Sequence, residues 1–185
     1  MKAKNLIRLA WLREALGNGP LLQTAQKLAK ALAAAEIPHL IVGGLAVQEH
    51  GYVRTTLDVD IVVPDVDRAR DYLSIHGFQE VRGTRMKMID RANRVDVDLL
   101  PGGDCVGPCL VKLPMPRQVS AQPQFIDIEG LITQKLSSYL RNKINRAKDQ
   151  GDAVELIKLG LPRTLPVAAA VKVEYLRLWD GLADK

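Results

Sequence analysis

The sequence predicts an α/β chain of the α+β type, with strands in its middle and helical segments at its N- and C-terminal ends. Three observations lead there. LDVDIVV (57–63) and RVDVDLL (94–100) alternate with the two-residue period of a strand. Long stretches on either side place apolar residues at three- and four-residue steps, as amphipathic helices do. Between them, about a dozen residues hold a short apolar run, Gly43-Gly44 and a second apolar run, which reads as strand, glycine turn and helix. A length of 185 residues suits one domain. With 47% hydrophobic and 25% charged residues, the composition excludes a disordered, collagen-like or disulfide-scaffold chain.

In chain order, two amphipathic helices open the sequence. The second follows Gly-Asn-Gly-Pro at 17–20, where Pro20 suits a first helical turn, and it presents Leu21, Leu22, Ala25, Leu28, Ala29 and Leu32 on one side. Pro38 prevents its continuation. Residues 39–42 read as a short buried strand entering Gly43-Gly44, and 45–50 as a short helix ended by Gly51. The strand at 57–63 sets Leu57, Val59, Ile61 and Val63 against Asp58, Asp60 and Val62. Pro64 stops it, and Asp65 caps a helix over 66–76. One or two short strands fit 77–89. The strand at 94–100 sets Val95, Val97 and Leu99 against Arg94, Asp96, Asp98 and Leu100. Residues 101–124, rich in Gly and Pro, read as a loop with one strand around 110–113. Helices return at 129–142, 147–159 and 166–179. The expected organisation is a single domain: a helical segment over 1–36, a sheet core over 37–128 and a helical part over 129–185.

Charge is unevenly spread. Residues 1–30 carry a net +5, residues 31–131 a net −4 and residues 132–163 a net +4, so an acidic centre lies between basic flanks. That pattern suits a polyanion held together with a metal cation, and it also suits solvated helix faces. Aromatic residues make up 4%, too few for a base-stacking platform. No apolar stretch reaches the ~18 residues needed to span a bilayer. The basic residues scattered through the opening segment exclude a signal peptide, so the expected location is cytoplasmic, without membrane contact. Cys105 and Cys109, the two cysteines, cannot complete a four-ligand zinc site, and we expect free thiols of a reducing compartment.

Asp58-x-Asp60 on a strand points both carboxylates to one side, about 7 Å apart along the backbone. A third carboxylate from a neighbouring strand, Asp98 or Asp96, would complete a set of oxygen donors of the kind Mg²⁺ takes, which leaves room for water and phosphate oxygens. The same pair also fits two aspartates facing water on a one-sided sheet. Gly43-Gly44 permits close backbone approach by a phosphate, and equally fits a tight turn. Neither GxxxxGK[ST] nor GxGxxG occurs, which excludes a P-loop and a Rossmann fingerprint.

Taken together, GGLAVQEHGYVRTTLDVDIVV (43–63), RVDVDLL, Lys135 and RAKDQGD (146–152) resemble the polymerase-beta-like nucleotidyltransferase superfamily, and in particular the minimal nucleotidyltransferases related to AbiEii-type toxins. The resemblance spans residues 40–160. It implies a mixed β-sheet flanked by helices and transfer of a nucleoside monophosphate from an NTP to an acceptor, with Mg²⁺ or Mn²⁺ held by Asp58, Asp60 and Asp98. The acceptor would be protein, RNA or a small molecule. By the same resemblance Gly43 and Gly44 cradle the triphosphate, and Asp98 helps deprotonate the acceptor. Lys135, Arg146 and Lys148 would neutralise phosphates, while Arg54 and Thr56 belong to the nucleotide site. The three basic residues also fit an ordinary solvated helix face. Many relatives carry Ser where Gly44 stands. A non-catalytic partner in a toxin–antitoxin-like pair is the alternative from another class.

Overall fold

A computed structural model describes residues 19–107 and 109–183; the first of the two opening helices lies outside them. Helix α1 (Gly19–Ala34) buries Leu21, Ala25, Leu28, Ala29 and Leu32, the side its sequence spacing selects. Glu36 turns the chain with φ 55°, and Pro38 leads into the two-residue strand β1 (Leu40–Ile41). Helix α2 (Gly43–Glu49) begins on the glycines themselves, which therefore form its first turn and not a turn before it. Strand β2 (Asp58–Val63) follows, then helix α3 (Val66–Ser74), whose cap Asp65 accepts a hydrogen bond from Arg68 N at 3.0 Å.

The segment at 77–89 yields strand β3 (Phe78–Glu80) and the start of β4 (Lys87–Asp90), and β5 (Asp96–Pro101) completes the sheet. The order is β1-β2-β5-β4-β3, mixed, with the central pair β2 and β5 parallel and the other pairs antiparallel. The outer edge of β1 is covered: Ile41 N donates to Gln124 O and Ile126 N to Ile41 O. Helices α4 (Ile128–Arg141), α5 (Ala147–Lys158) and α6 (Ala169–Ala183) close the chain. Sequence spacing starts the last of these at Pro166. Instead Leu165 and Val167 are buried and Ala168 N donates to Thr133 Oγ1 at 3.2 Å, which holds the approach extended and delays the helix.

Each sheet face supports its own core. On one, Val59, Ile61, Val63, Val97 and Leu99 pack against α1 and α3. On the other, Val62 joins Val42, Ala46, Leu131, Ile132, Leu136, Leu156 and Tyr175, from α2 and the three C-terminal helices. Leu57, placed on the apolar face by alternation, lies ahead of β2 and is 78% exposed. No helix among the described residues is long and apolar enough to cross a membrane.

Residues 110–113, expected as a strand, form none. Their backbone is satisfied by α4 and by the loop itself: Leu110 N and Val111 N donate to Ser137 Oγ, Gln134 Nε2 donates to Lys112 O, and Leu113 N donates to Asp104 O. The cysteines are not free thiols. Cys105 and Cys109 are joined in a disulfide, and Gly107 between them takes φ 68°.

Candidate active site

Asp58 and Asp60 share a face of β2 with Val62. Val62 is buried in the second core, and the aspartates stand where that core stops and a cleft begins. Pairing of β2 with β5 sets Asp60 opposite Asp98 and Asp58 opposite Asp96. Oxygens of Asp58, Asp60 and Asp98 lie within 4.8 Å of one another, whereas Asp96 is exposed and outside that group. The geometry therefore separates two aspartates that alternation alone leaves equivalent.

Crowding has an electrostatic cost. Burial, followed by the neighbouring charges of Asp58 and Asp98, pushes the Asp60 carboxyl up to about 6, against partial relief from Lys135 and the Gly44 N–H. Thr56, itself buried, donates its hydroxyl to Asp58 Oδ1 at 3.0 Å. Asp98 Oδ1 is buried without a hydrogen-bond partner. The Lys87 ammonium lies 3.0 Å from it but badly aligned, and donates at 3.3 Å to Oδ2. Three carboxylates with oxygens this close, one of them keeping an oxygen without a hydrogen-bond partner, are a donor set that a hard divalent cation would satisfy. The triad could therefore hold such an ion.

The glycines are fixed by what surrounds them. Gly43 has φ 63°, and a Cβ there would overlap the Asp60 carboxylate; a Cβ at Gly44 would overlap Thr56 Oγ1. A serine at position 44 is thus incompatible with the threonine at 56 as it stands.

Opposite the triad, α4 and α5 supply a second charge cluster. Lys135, 8% exposed, contacts Asp149 Oδ1 and Asp152 Oδ2, both at 2.8 Å. Arg54 Nε and Nη2 donate to the two oxygens of Asp152 at 2.6 and 2.8 Å, and Ser138 Oγ donates to Asp149 Oδ2 at 2.7 Å. Two cations and two carboxylates thus balance in a closed network. Among the described residues of the cleft, Arg146, Lys148 and Arg141 are exposed on its rim, Arg141 donating to Val106 O at 3.4 Å. Arg146 keeps only a 4.0 Å contact with Asp149.

One cleft of about 390 Å³ unites Gly43, Gly44, Arg54, Thr56, Asp58, Asp60, Asp98, Lys135, Arg146 and Lys148. Its other wall is apolar, from Leu100, Val111, Leu113 and Leu131, with the disulfide at its edge. Sequence reasoning missed Lys87, Arg141, Ser137 and Ser138. It also left Asp149 and Asp152 without a role, although both stand in the matched RAKDQGD segment. Their i,i+3 spacing on a helix was the available signal that they share a face.

No protein-family model and no curated protein sequence matches the chain significantly. Among solved structures, it is similar to an antigenic nucleotidyltransferase-like protein from Paracoccidioides brasiliensis, with 19% identity, a TM-score of 0.60 and 89% of each chain covered. Two structures of the antibiotic-resistance factor ANT(2'')-Ia are similar at 13% identity. One is a solution structure and the other a crystal structure with adenylyl-2''-tobramycin; 88% of this chain is covered in each, with 84% and 89% of those chains. Their TM-score of 0.46 is too low to inform the activity of this chain. A five-stranded mixed sheet with helices on both faces, overlaying along nearly its whole length on the Paracoccidioides protein, has the nucleotidyltransferase-like fold.

Proposed function

We propose that the chain is a metal-dependent nucleotidyltransferase, moving a nucleoside monophosphate from an NTP to an acceptor hydroxyl or similar nucleophile on a protein, an RNA or a small molecule. The observation that carries the reading is the convergence of Asp58, Asp60 and Asp98 within 4.8 Å at the floor of a cleft whose rim bears Arg141, Arg146 and Lys148. Acidic residues at the floor and cations at the rim suit a triphosphate held by both.

In this reading Asp58, Asp60 and Asp98 hold Mg²⁺ or Mn²⁺, which supplies charge neutralisation at the phosphates and lowers the cost of developing negative charge. Gly43 and Gly44, lacking Cβ, let Asp60 and Thr56 close against the start of α2, and the backbone there cradles the triphosphate. Arg146 and Lys148, joined by Arg141, neutralise the β- and γ-phosphates. Arg54 and Lys135 act one step back: they are tied to Asp152 and Asp149, and hold α5 and the 51–57 segment in place around the nucleotide. Thr56 holds Asp58. The acceptor oxygen attacks the α-phosphorus, the bond from that phosphorus to the bridging oxygen breaks, pyrophosphate leaves, and the acceptor proton passes to Asp98.

The Lys135 and Arg146-x-x-Asp149-x-x-Asp152 pattern supports kinship with the minimal AbiEii-related enzymes, and with it a toxin–antitoxin setting in the cytoplasm, where NTPs are made. A non-catalytic partner would have no need of three carboxylates crowded at the cost Asp60 shows. The test is incubation with each labelled NTP, Mg²⁺ or Mn²⁺ and cell lysate. Label should pass to one class of macromolecule or metabolite and be lost in Asp98→Asn, while Asp96→Asn lowers transfer by a smaller factor. Undiminished transfer by Asp98→Asn would remove Asp98 from the chemistry.

A further inference from the structure

Two lysines stand beside the carboxylates, and the fold treats them differently. Lys135 is locked, its side chain 10% exposed between two aspartates. Lys87 is loose. It projects from β4 with its side chain 54% exposed, and register places it directly opposite Asp98, on the face that carries the triad. Among the described residues it is the cation ion-paired with the triad. Its Nζ donates to Asp98 Oδ2 at 3.3 Å and lies 3.0 Å from Oδ1, which keeps no aligned donor. A flexible arm at a half-exposed position can leave without opening a cavity in the core. Three crowded carboxylates need a compensating charge, and this one is carried on a long side chain that is 54% exposed.

We propose that Lys87 is a tethered placeholder for the divalent metal ion: its ammonium neutralises the triad through Asp98 until the ion enters, and then yields that carboxylate. Lys87 is thus a positioning residue, acting through Asp98 and competing with the metal for it. The inference rests on the reading of the triad as a metal site, and it adds that this chain sets its metal affinity below that of the bare carboxylates.

The test uses the metal alone, without NTP, on the full-length protein. Mn²⁺ is titrated into metal-free wild type, Lys87→Met and Lys87→Arg while free Mn²⁺ is followed by electron paramagnetic resonance, with circular dichroism confirming that each variant is folded. Losing the competing charge should make Lys87→Met bind Mn²⁺ about two- to fivefold tighter, the range an exposed ion pair supports. Lys87→Arg, which keeps the charge, should stay within about twofold of wild type on the same grounds. An unchanged or weaker affinity in Lys87→Met overturns the proposal, as does equal tightening in Lys87→Arg, because the charge would then not be the cause. Wild type that binds Mn²⁺ without any gain in Lys87→Met refutes the placeholder alone. Wild type that binds no Mn²⁺, with or without NTP, refutes the placeholder and the catalytic reading together.

Discussion

Asp60 carries the largest electrostatic burden of any carboxylate in the site. With its pKa raised from 3.8 to about 6, the folded state binds a proton more readily than the unfolded chain. The metal-free fold is therefore penalised as pH rises from 3.8 through 6, and the penalty is complete at neutrality. Asp60→Asn removes it, so the metal-free variant should melt higher than wild type at pH 7, by an amount on the order of 1–3 kcal/mol, and lose the difference near pH 4. A lower melting point at pH 7 would mean that the carboxylate is held by more than the structure shows. His39 works in the opposite sense. It is buried, neither ring nitrogen has an aligned partner, and burial outweighs the nearby backbone of Gln122 and Ile37 to lower its pKa below 6.5. The unfolded chain takes up a proton near 6.5 that the fold refuses. Stability is therefore full above that pH and falls as pH drops through 6.5 toward the folded value. Because Asp60 gains stability over the same window, the His39 effect is read in an Asp60→Asn background, where denaturant midpoints measured from pH 7.5 to 5.5 should decline, and decline less when His39→Gln is added.

Helices α4 and α5 separate two kinds of basic residue that look alike in sequence. Lys135 lies inside the network with Asp149, Asp152 and Arg54, so Lys135→Met strands buried carboxylate charge and should cost about 3–5 kcal/mol of stability. Arg146 and Lys148 are exposed. Arg146→Ala with Lys148→Ala should leave the unfolding free energy within about 0.5 kcal/mol of wild type and weaken NTP binding about tenfold, more at low salt than at high. Unchanged NTP affinity in that double variant would make both residues a solvated face. The same contrast shows what a sequence can and cannot disclose. Period-two alternation named the faces of β2 and β5, since Val59, Ile61, Val97 and Leu99 had to be buried. It could not say which residue of β5 meets Asp60, because a shift of two preserves every face. Lys87 was hidden in 77–89, where Arg82-Gly83-Thr84 breaks the strand pattern. The run at 110–113 looked like a strand because it needs hydrogen-bond partners, but a serine and a glutamine on α4 supply them. The cysteines were expected as free thiols because spacing alone carries no sign of pairing, and the structure joins them.

At the scale of the molecule, the cleft lies between parts that belong to different stretches of chain: β2 and β5 on one side, α4, α5 and the 102–113 loop on the other. A nucleotide bound with its metal should tie the two sides together. NTP with Mg²⁺ or Mn²⁺ should raise stability by about 2.7 kcal/mol at a hundred times the dissociation constant, and by far less when either is added alone. Thermal melts without such synergy for any NTP would deprive the catalytic reading of its main support. The parallel register of β2 and β5 has one further consequence. The alternation that buries Val59, Ile61, Val97 and Leu99 beneath α1 and α3 is the same alternation that turns Asp58, Asp60 and Asp98 toward the cleft. Sliding β5 by one residue would drive its carboxylates into oil and its valines into water. Assembly of the site is thereby proofread by the core against one-residue slips: a chain that turns its acids to the wrong face has also lost its core. An insertion of one residue inside β2 or β5 would carry every later side chain of that strand to the opposite face.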